Sequence, residues 1–138
     1  MAGRAPTQQD YELLAEFRAT LRGFLAFSED AARKAGLTPR QHQALLAIKG
    51  SPNKKPVSVG DLAERLQLRH NTTVELANRL VDAGLIARVT DVDDKRRVWL
   101  KVTAQGEARL AALSKIHLED LRRMREVLRR LLDRLERD

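Results

Sequence analysis

At 138 residues, with 43% hydrophobic, 33% charged and only 4% aromatic side chains, the chain has room for one core and too little length for two. Lysine and arginine number 26 against 19 acids, giving a formal charge of +7 and a pI near 10.4, a balance that favours a polyanionic partner, nucleic acid before membrane. There is no cysteine, which excludes disulfides, thiol redox sensing and thiolate metal sites, and no apolar run approaches the roughly 18 residues of a membrane span. The N-terminus lacks the apolar core of a signal peptide, so a soluble, cytoplasmic protein without membrane contact is expected, with residues 1–6 as a loose tail.

Thr7 and Asp10 have the spacing of a capping box, and Leu13, Leu14, Phe17, Leu21, Phe24 and Leu25 then recur at helical intervals. That first helix is predicted to run to about Ala35, where Gly36 supplies a left-handed stop. Its length, about 28 residues, calls for something long to lie against. Thr38, Pro39 and Gln41 start a second helix, carrying Leu45, Leu46 and Ile48 to Gly50. The polar breakers of residues 51–56 form a loop, and residues 57–59 have the composition of a short strand. Ser58 and Asp61 then cap a third helix holding Leu62, Ala63 and Leu66. A turn around residues 67–69 leads into a fourth, from near His70 to Gly84, with Val74, Ala77, Leu80 and Val81 on its apolar side. Two short helices on so tight a turn form a helix-turn-helix.

The period then changes. Residues 85–90 and 97–102 read as two strands around a charged turn, Val98, Leu100 and Val102 alternating with Arg97, Trp99 and Lys101. A hairpin directly after a helix-turn-helix is a wing. Trp99 points away from the apolar side of its strand, where a partner or the helical region is expected to cover it. From Thr103 on the chain is helical and free of proline, and Leu110, Leu113, His117, Leu121, Met124, Leu128, Leu131 and Leu135 form a heptad-like stripe.

Residues 59–66, Val-Gly-Asp-Leu-Ala-Glu-Arg-Leu, and 72–88, Thr-Thr-Val-Glu-Leu-Ala-Asn-Arg-Leu-Val-Asp-Ala-Gly-Leu-Ile-Ala-Arg, resemble the third helix, recognition helix and wing entry of the MarR family. Asp94-Lys-Arg-Arg and Val102-Thr-Ala-Gln-Gly resemble its wing tip and the start of its fifth helix, and Leu37-Thr-Pro-Arg-Gln its second helix. The chain departs from the pattern where Val102 replaces a frequent leucine. It departs again in residues 114–137, which lack the break many members carry, so a continuous or gently kinked helix is expected. The resemblance implies a mainly α fold with a small β-wing: a winged helix-turn-helix region at 57–102, and helical dimerisation regions at 7–50 and 104–138. The whole chain, 1–138, then forms one domain.

A recognition helix reads base edges from its N-terminal side chains, which nominates Arg69, His70, Asn71, Thr72 and Thr73, with Asn78 further along. The bland alternative is that Asn71 caps the helix and the threonines merely start it. Lys95, Arg96 and Arg97 form the second candidate contact, suited to a narrow minor groove, with Asp94 orienting Arg96 by resemblance. Arg79 and Arg88 are left open between phosphate and the wing acids. Residues 61–102 hold eight basic and seven acidic groups, a net of +1, so placement of the charges rather than bulk charge must supply affinity. His42 and His117 are expected to be packing or interface residues. No metal-ligand, nucleophile or paired-carboxylate constellation is present, so neither a cofactor nor enzymatic activity is expected.

The resemblance therefore implies a homodimeric, sequence-specific regulator of transcription on double-stranded DNA: a repressor on a pseudo-palindromic operator, relieved by a small aromatic or phenolic ligand. The alternative is a winged-helix protein-interaction module without specific DNA binding. The charged wing argues against it.

Overall fold

The computed structural model describes residues 3–136, so Met1 and Ala2 of the expected tail, and Arg137 and Asp138 of the C-terminal region, lie outside the described residues. Five helices and one hairpin follow in the order α1 (Gln8–Lys34), α2 (Pro39–Lys49), α3 (Val59–Leu66), α4 (His70–Asp82), β1 (Ile86–Thr90), β2 (Val98–Val102) and α5 (Ala104–Glu136). A single 3-10 turn, Pro52–Lys54, interrupts the loop between α2 and α3.

The helix starts form where the side chains dictate. Thr7, Thr38 and Ser58 each accept the amide three residues on, while Asp10, Gln41 and Asp61 accept the cap amide in return, closing three capping boxes. Arg4 pairs with Asp10 at 2.8 Å, so the chain from Arg4 onward is tied to the first turn of α1 rather than loose. The Arg4 guanidinium, helped by the Thr7 amide, holds the Asp10 carboxyl down at about 2. Gly36, at φ +80°, makes the left-handed exit from α1. At the other tight turn Gln67 adopts φ 55°, ψ 45°, and the Leu68 amide reaches back to the Ala63 carbonyl at 2.9 Å.

No strand forms at residues 57–59. Ser58 is committed to capping and Val59 is already helical, so Val57 makes one isolated bridge, its carbonyl accepting the Leu100 amide at 2.7 Å. The hairpin pairs Ile86 with Val102 through to Thr90 with Val98. Its inner face is buried at Leu100 and Val102, but Val98 remains exposed because the hairpin has by then left the helices behind. Leu45, Leu62, Leu80, Leu85, Ile86 and Leu113 are fully buried, and they join the winged region to α2 and α5 in one core. Each such side chain contributes roughly 1.5–3 kcal/mol relative to exposure.

α5 runs unbroken for 33 residues. It lies antiparallel to α1, since His117 meets Ser28 near one end and Arg134 meets Glu16 at 3.3 Å near the other. Packing within one chain satisfies only part of the two helices. Leu110, Leu113 and Leu131 of the stripe are buried, while Leu121 and Leu135 stay exposed, as do Leu14, Phe17, Leu21 and Leu25 on α1. Among the described residues no helix is long and apolar enough to cross a membrane.

Candidate nucleic-acid interface

The first turn of α4 presents Arg69, His70 and Asn71 to solvent. Arg69, not Asn71, is the N-cap residue, and its side chain makes no capping bond, so the reading of Asn71 as a cap does not hold. The three side chains are exposed and take no part in the packed inward face of the helix. Thr73 must be removed from the DNA-facing set. It is fully buried, its hydroxyl donating to the Arg69 carbonyl at 2.9 Å. The reason is helical phase: Thr73 shares the inward face with Leu76, Ala77 and Leu80. Thr72 is half-buried and borders a cavity of about 530 Å³ between α2 and α4, along with Arg40, Glu75 and Arg79. Asn78, exposed, accepts a hydrogen bond from Arg88 on β1. That bond ties the wing to the helix: Arg88, still exposed, is held by Asn78 rather than by the wing acids, and its reach to phosphate stays open.

At the wing tip, Asp94 Oδ1 accepts both the Arg96 amide and Arg96 Nε at 3.1 Å, and Oδ2 accepts Arg96 Nη2 at 3.2 Å. The Arg96 side chain and then its amide hold the Asp94 carboxyl below the usual carboxylate range, with Arg97 assisting at 3.8 Å. Arg96 is thereby given a direction while its side chain remains 91% exposed. Lys95 and Arg97 are exposed beside it. The turn is closed by the Arg97 amide on the Asp94 carbonyl and the Asp91 amide on the Arg97 carbonyl, both at 2.9 Å.

Behind the wing, the Thr103 hydroxyl donates to the Gly84 carbonyl at 2.6 Å and accepts the Gly106 amide at 3.1 Å. One side chain thus starts α5 and fastens it to the end of α4. Threonine three residues before Gly106 is the visible sequence signal for this joint. Trp99 is half-buried, and Lys55 and Pro56 of the 51–56 loop line the grooves beside it together with Lys49 of α2, Asp61 of α3 and Glu107 of α5.

Sequence spacing could not reveal that His42 and His117 meet. Their rings lie 4.9 Å apart where α1, α2 and α5 converge, with Phe24 and Phe27 of α1 edge-on to His117. His117 Nδ1 sits 2.6 Å from the Leu113 carbonyl, which can only accept, so Nδ1 carries a proton, and Nε2 lies within hydrogen-bond distance of the Ser28 hydroxyl at 2.7 Å. Burial first, and the neighbouring His117 second, push the His42 pKa below its ordinary value of 6.5. The unfolded chain therefore binds more protons than the folded one just below pH 6.5, and this contribution to stability, complete above 6.5, is lost as pH falls through that region. The carboxylates add their own loss only below about pH 4. We expect the urea midpoint to fall between pH 7.5 and 5.5, and His42→Phe to flatten that slope. An unchanged slope in the variant would mean that His42 is not the group responsible.

Among the described residues no group of three or more His, Cys, Asp or Glu is placed to hold a metal ion.

The model of the MarR family matches residues 35–97, from just after α1 to the wing tip, short of β2. The chain is 31% identical over 78 residues to the HTH-type transcriptional repressor MdtR of Bacillus subtilis (strain 168), covering 56% of this chain and 48% of that one. It is 28% identical over 116 residues to the putative transcriptional regulatory protein for the hcr operon of Thauera aromatica, covering 84% and 66%. The matched stretches thus span less than two thirds of either relative's own length. In fold, an S. aureus MepR mutant bound to an oligodeoxyribonucleotide superimposes with a TM-score of 0.69 at 22% identity, over 91% of this chain and 97% of that one. With the capped helices, the tight α3–α4 turn and the wing in the order the motifs predict, the chain is similar to the MarR family over residues 35–97, a little under half of its length.

Proposed function

We propose that this protein is a DNA-binding transcription regulator that acts as a homodimer, represses from a pseudo-palindromic operator, and is released by a small aromatic or phenolic ligand. The observation that carries the DNA reading is the pairing of two exposed polar features with no packing role. One is the first turn of α4, with Arg69, His70 and Asn71; the other is Arg96, aimed by Asp94 yet 91% exposed. A helix N-terminus suits the major groove, and an extended basic tip suits the adjacent minor groove. Thr72 and Asn78 are left at the margin of this surface, and Lys95 and Arg97 flank Arg96 on it. The unburied leucines of α1 and α5 support a second copy, and two-fold symmetry then implies half-sites about one helical turn apart. For the releasing ligand, the reading is supported by the cavity of about 530 Å³ between α2 and α4, which also touches Glu29 of α1. A mainly regulatory role leaves no place for catalysis in this reading.

The test separates the two features. Duplexes selected by the protein from genomic fragments are compared with random duplex at several salt concentrations. Arg96→Ala should weaken both and flatten the salt dependence by about one unit of slope for each phosphate no longer neutralised. Asn71→Ala should cost roughly 1–3 kcal/mol on the selected duplex and little on random DNA. If Arg96→Ala leaves both affinities and the slope unchanged, the wing does not touch DNA.

A further inference from the structure

The flank of the wing turned away from α4 holds a cleft that the DNA surface does not use. Strand alternation puts Val89 and its cross-strand partner Trp99 on the face opposite buried Leu100 and α4-bonded Arg88, and Pro56 borders them. The cleft measures about 590 Å³, inside the roughly 300–1,000 Å³ range of small-molecule sites. Lys49, Lys54, Lys55 and Lys101 stand around it against one carboxylate, Glu107, so four cations less one anion leave a net charge of +3. Glu107 is taken by Lys49 at 2.6 Å, and Lys49 more than Lys101 keeps its carboxyl below the usual range. Lys54 and Lys55 have no ion-pair partner among the described residues.

The loop that carries those two lysines is held, not slack. Asn53 and Lys54 are consecutive non-glycine residues at φ 55°, a region side chains seldom occupy, and buried Ser51 donates its hydroxyl to the Lys55 carbonyl at 2.7 Å. Such conformations persist where the surroundings over-determine them, and they gather at binding sites.

We propose that this cleft binds a small planar aromatic molecule carrying a phosphate dianion, the chemistry of a mononucleotide, with its ring against Trp99 and its phosphate among Lys54, Lys55 and Lys101. Against a net charge of +3, a monoanion leaves +2 and a dianion only +1, so the dianion is the better complement. The lining holds lysines and no arginine, and lysine ammoniums bind phosphate as point charges. A duplex keeps its bases stacked inside and offers no free ring face to Trp99, whereas a mononucleotide does.

Trp99 is the sole tryptophan, so its emission reports occupancy in the intact protein. Titration with AMP should give a saturable change, adenosine should bind at least about tenfold more weakly, and inorganic phosphate should compete. Lys55→Ala combined with Lys101→Ala should weaken AMP at least about tenfold with the circular dichroism spectrum unchanged. An adjoining groove links Lys55 and Trp99 to Arg96 and Arg97, so Arg96→Ala is the control that separates this cleft from the wing tip. AMP binding that survives Arg96→Ala supports the cleft, whether or not the protein binds duplex DNA. Three results overturn the proposal: no saturable response up to about 5 mM AMP, equal binding of adenosine, or loss with Arg96→Ala but not with the lysine variant.

Discussion

Gly106→Ala is expected to destabilise the fold by about 3 kcal/mol or more, lowering the melting temperature by about 10 °C. A Cβ at this position would lie 2.1 Å from the Leu85 carbonyl oxygen and 2.8 Å from Val102 Cγ1. The valine methyl can rotate aside. The carbonyl cannot, because it accepts the Thr103 amide at 3.0 Å in the joint that starts α5. Backbone must therefore move, which puts the cost at or above the usual 1–3 kcal/mol of overpacking. The better helix propensity of alanine, worth just under 1 kcal/mol, does not offset it. Gly60→Ala is the matched control, since its added methyl meets nothing nearer than Ser58 Oγ at 3.7 Å. Denaturant titration of both variants decides the matter: equal midpoints would mean that the close approach at Gly106 relaxes freely.

Leu118→Glu together with Leu132→Glu should convert the proposed dimer to a folded monomer and reduce affinity for selected duplex by about 10²–10⁴, the advantage that disappears when two linked sites become independent. Both leucines are more than half exposed in the single chain and line one apolar groove along α5 with Leu121 and Leu128. Placing carboxylates there leaves the core of one protomer untouched, but buries charge if a second copy packs on the groove. Removing residues 121–138 should have the same effect on assembly while also deleting buried Leu131 and the Arg134–Glu16 pair. Sedimentation and duplex binding are measured on the same samples. A doubly substituted chain that remains dimeric and binds at wild-type strength would place the interface elsewhere.

Much of this fold is legible in the sequence because its punctuation is local. Thr7, Thr38 and Ser58 meet partners three residues away, and the bond geometry follows from spacing alone. The uninterrupted α5 follows from the lack of proline after Thr103. Local signals mislead where one residue has two possible duties. Val57 has strand composition, yet its neighbour Ser58 is needed as a cap, and the helix prevails. Thr73 lies in a polar run, but three residues of helix are enough to rotate it into the core. Contacts across long sequence gaps leave no local trace. The His42–His117 pair and the bond from Arg88 to Asn78 exist only once helices and hairpin have packed. For the candidate site, residue type nominated Asn71 and Arg96, which the structure leaves exposed, as readily as Thr73, which it buries, because type does not say which face a side chain occupies.

The single rod formed by α5 has a mechanical consequence. At 1.5 Å per residue its 33 residues extend about 50 Å, with the wing bolted to one end through Thr103 and the far half lying along α1. No hinge interrupts it, so the rod transmits angle rather than absorbing it. A tilt of about ten degrees in the far half carries the wing base on the order of 9 Å, three quarters of the roughly 12 Å width of a major groove. In the proposed dimer the reach between two such wings would therefore be governed by leverage, and a small adjustment of packing at one end of the molecule would be enough to put the other end out of register.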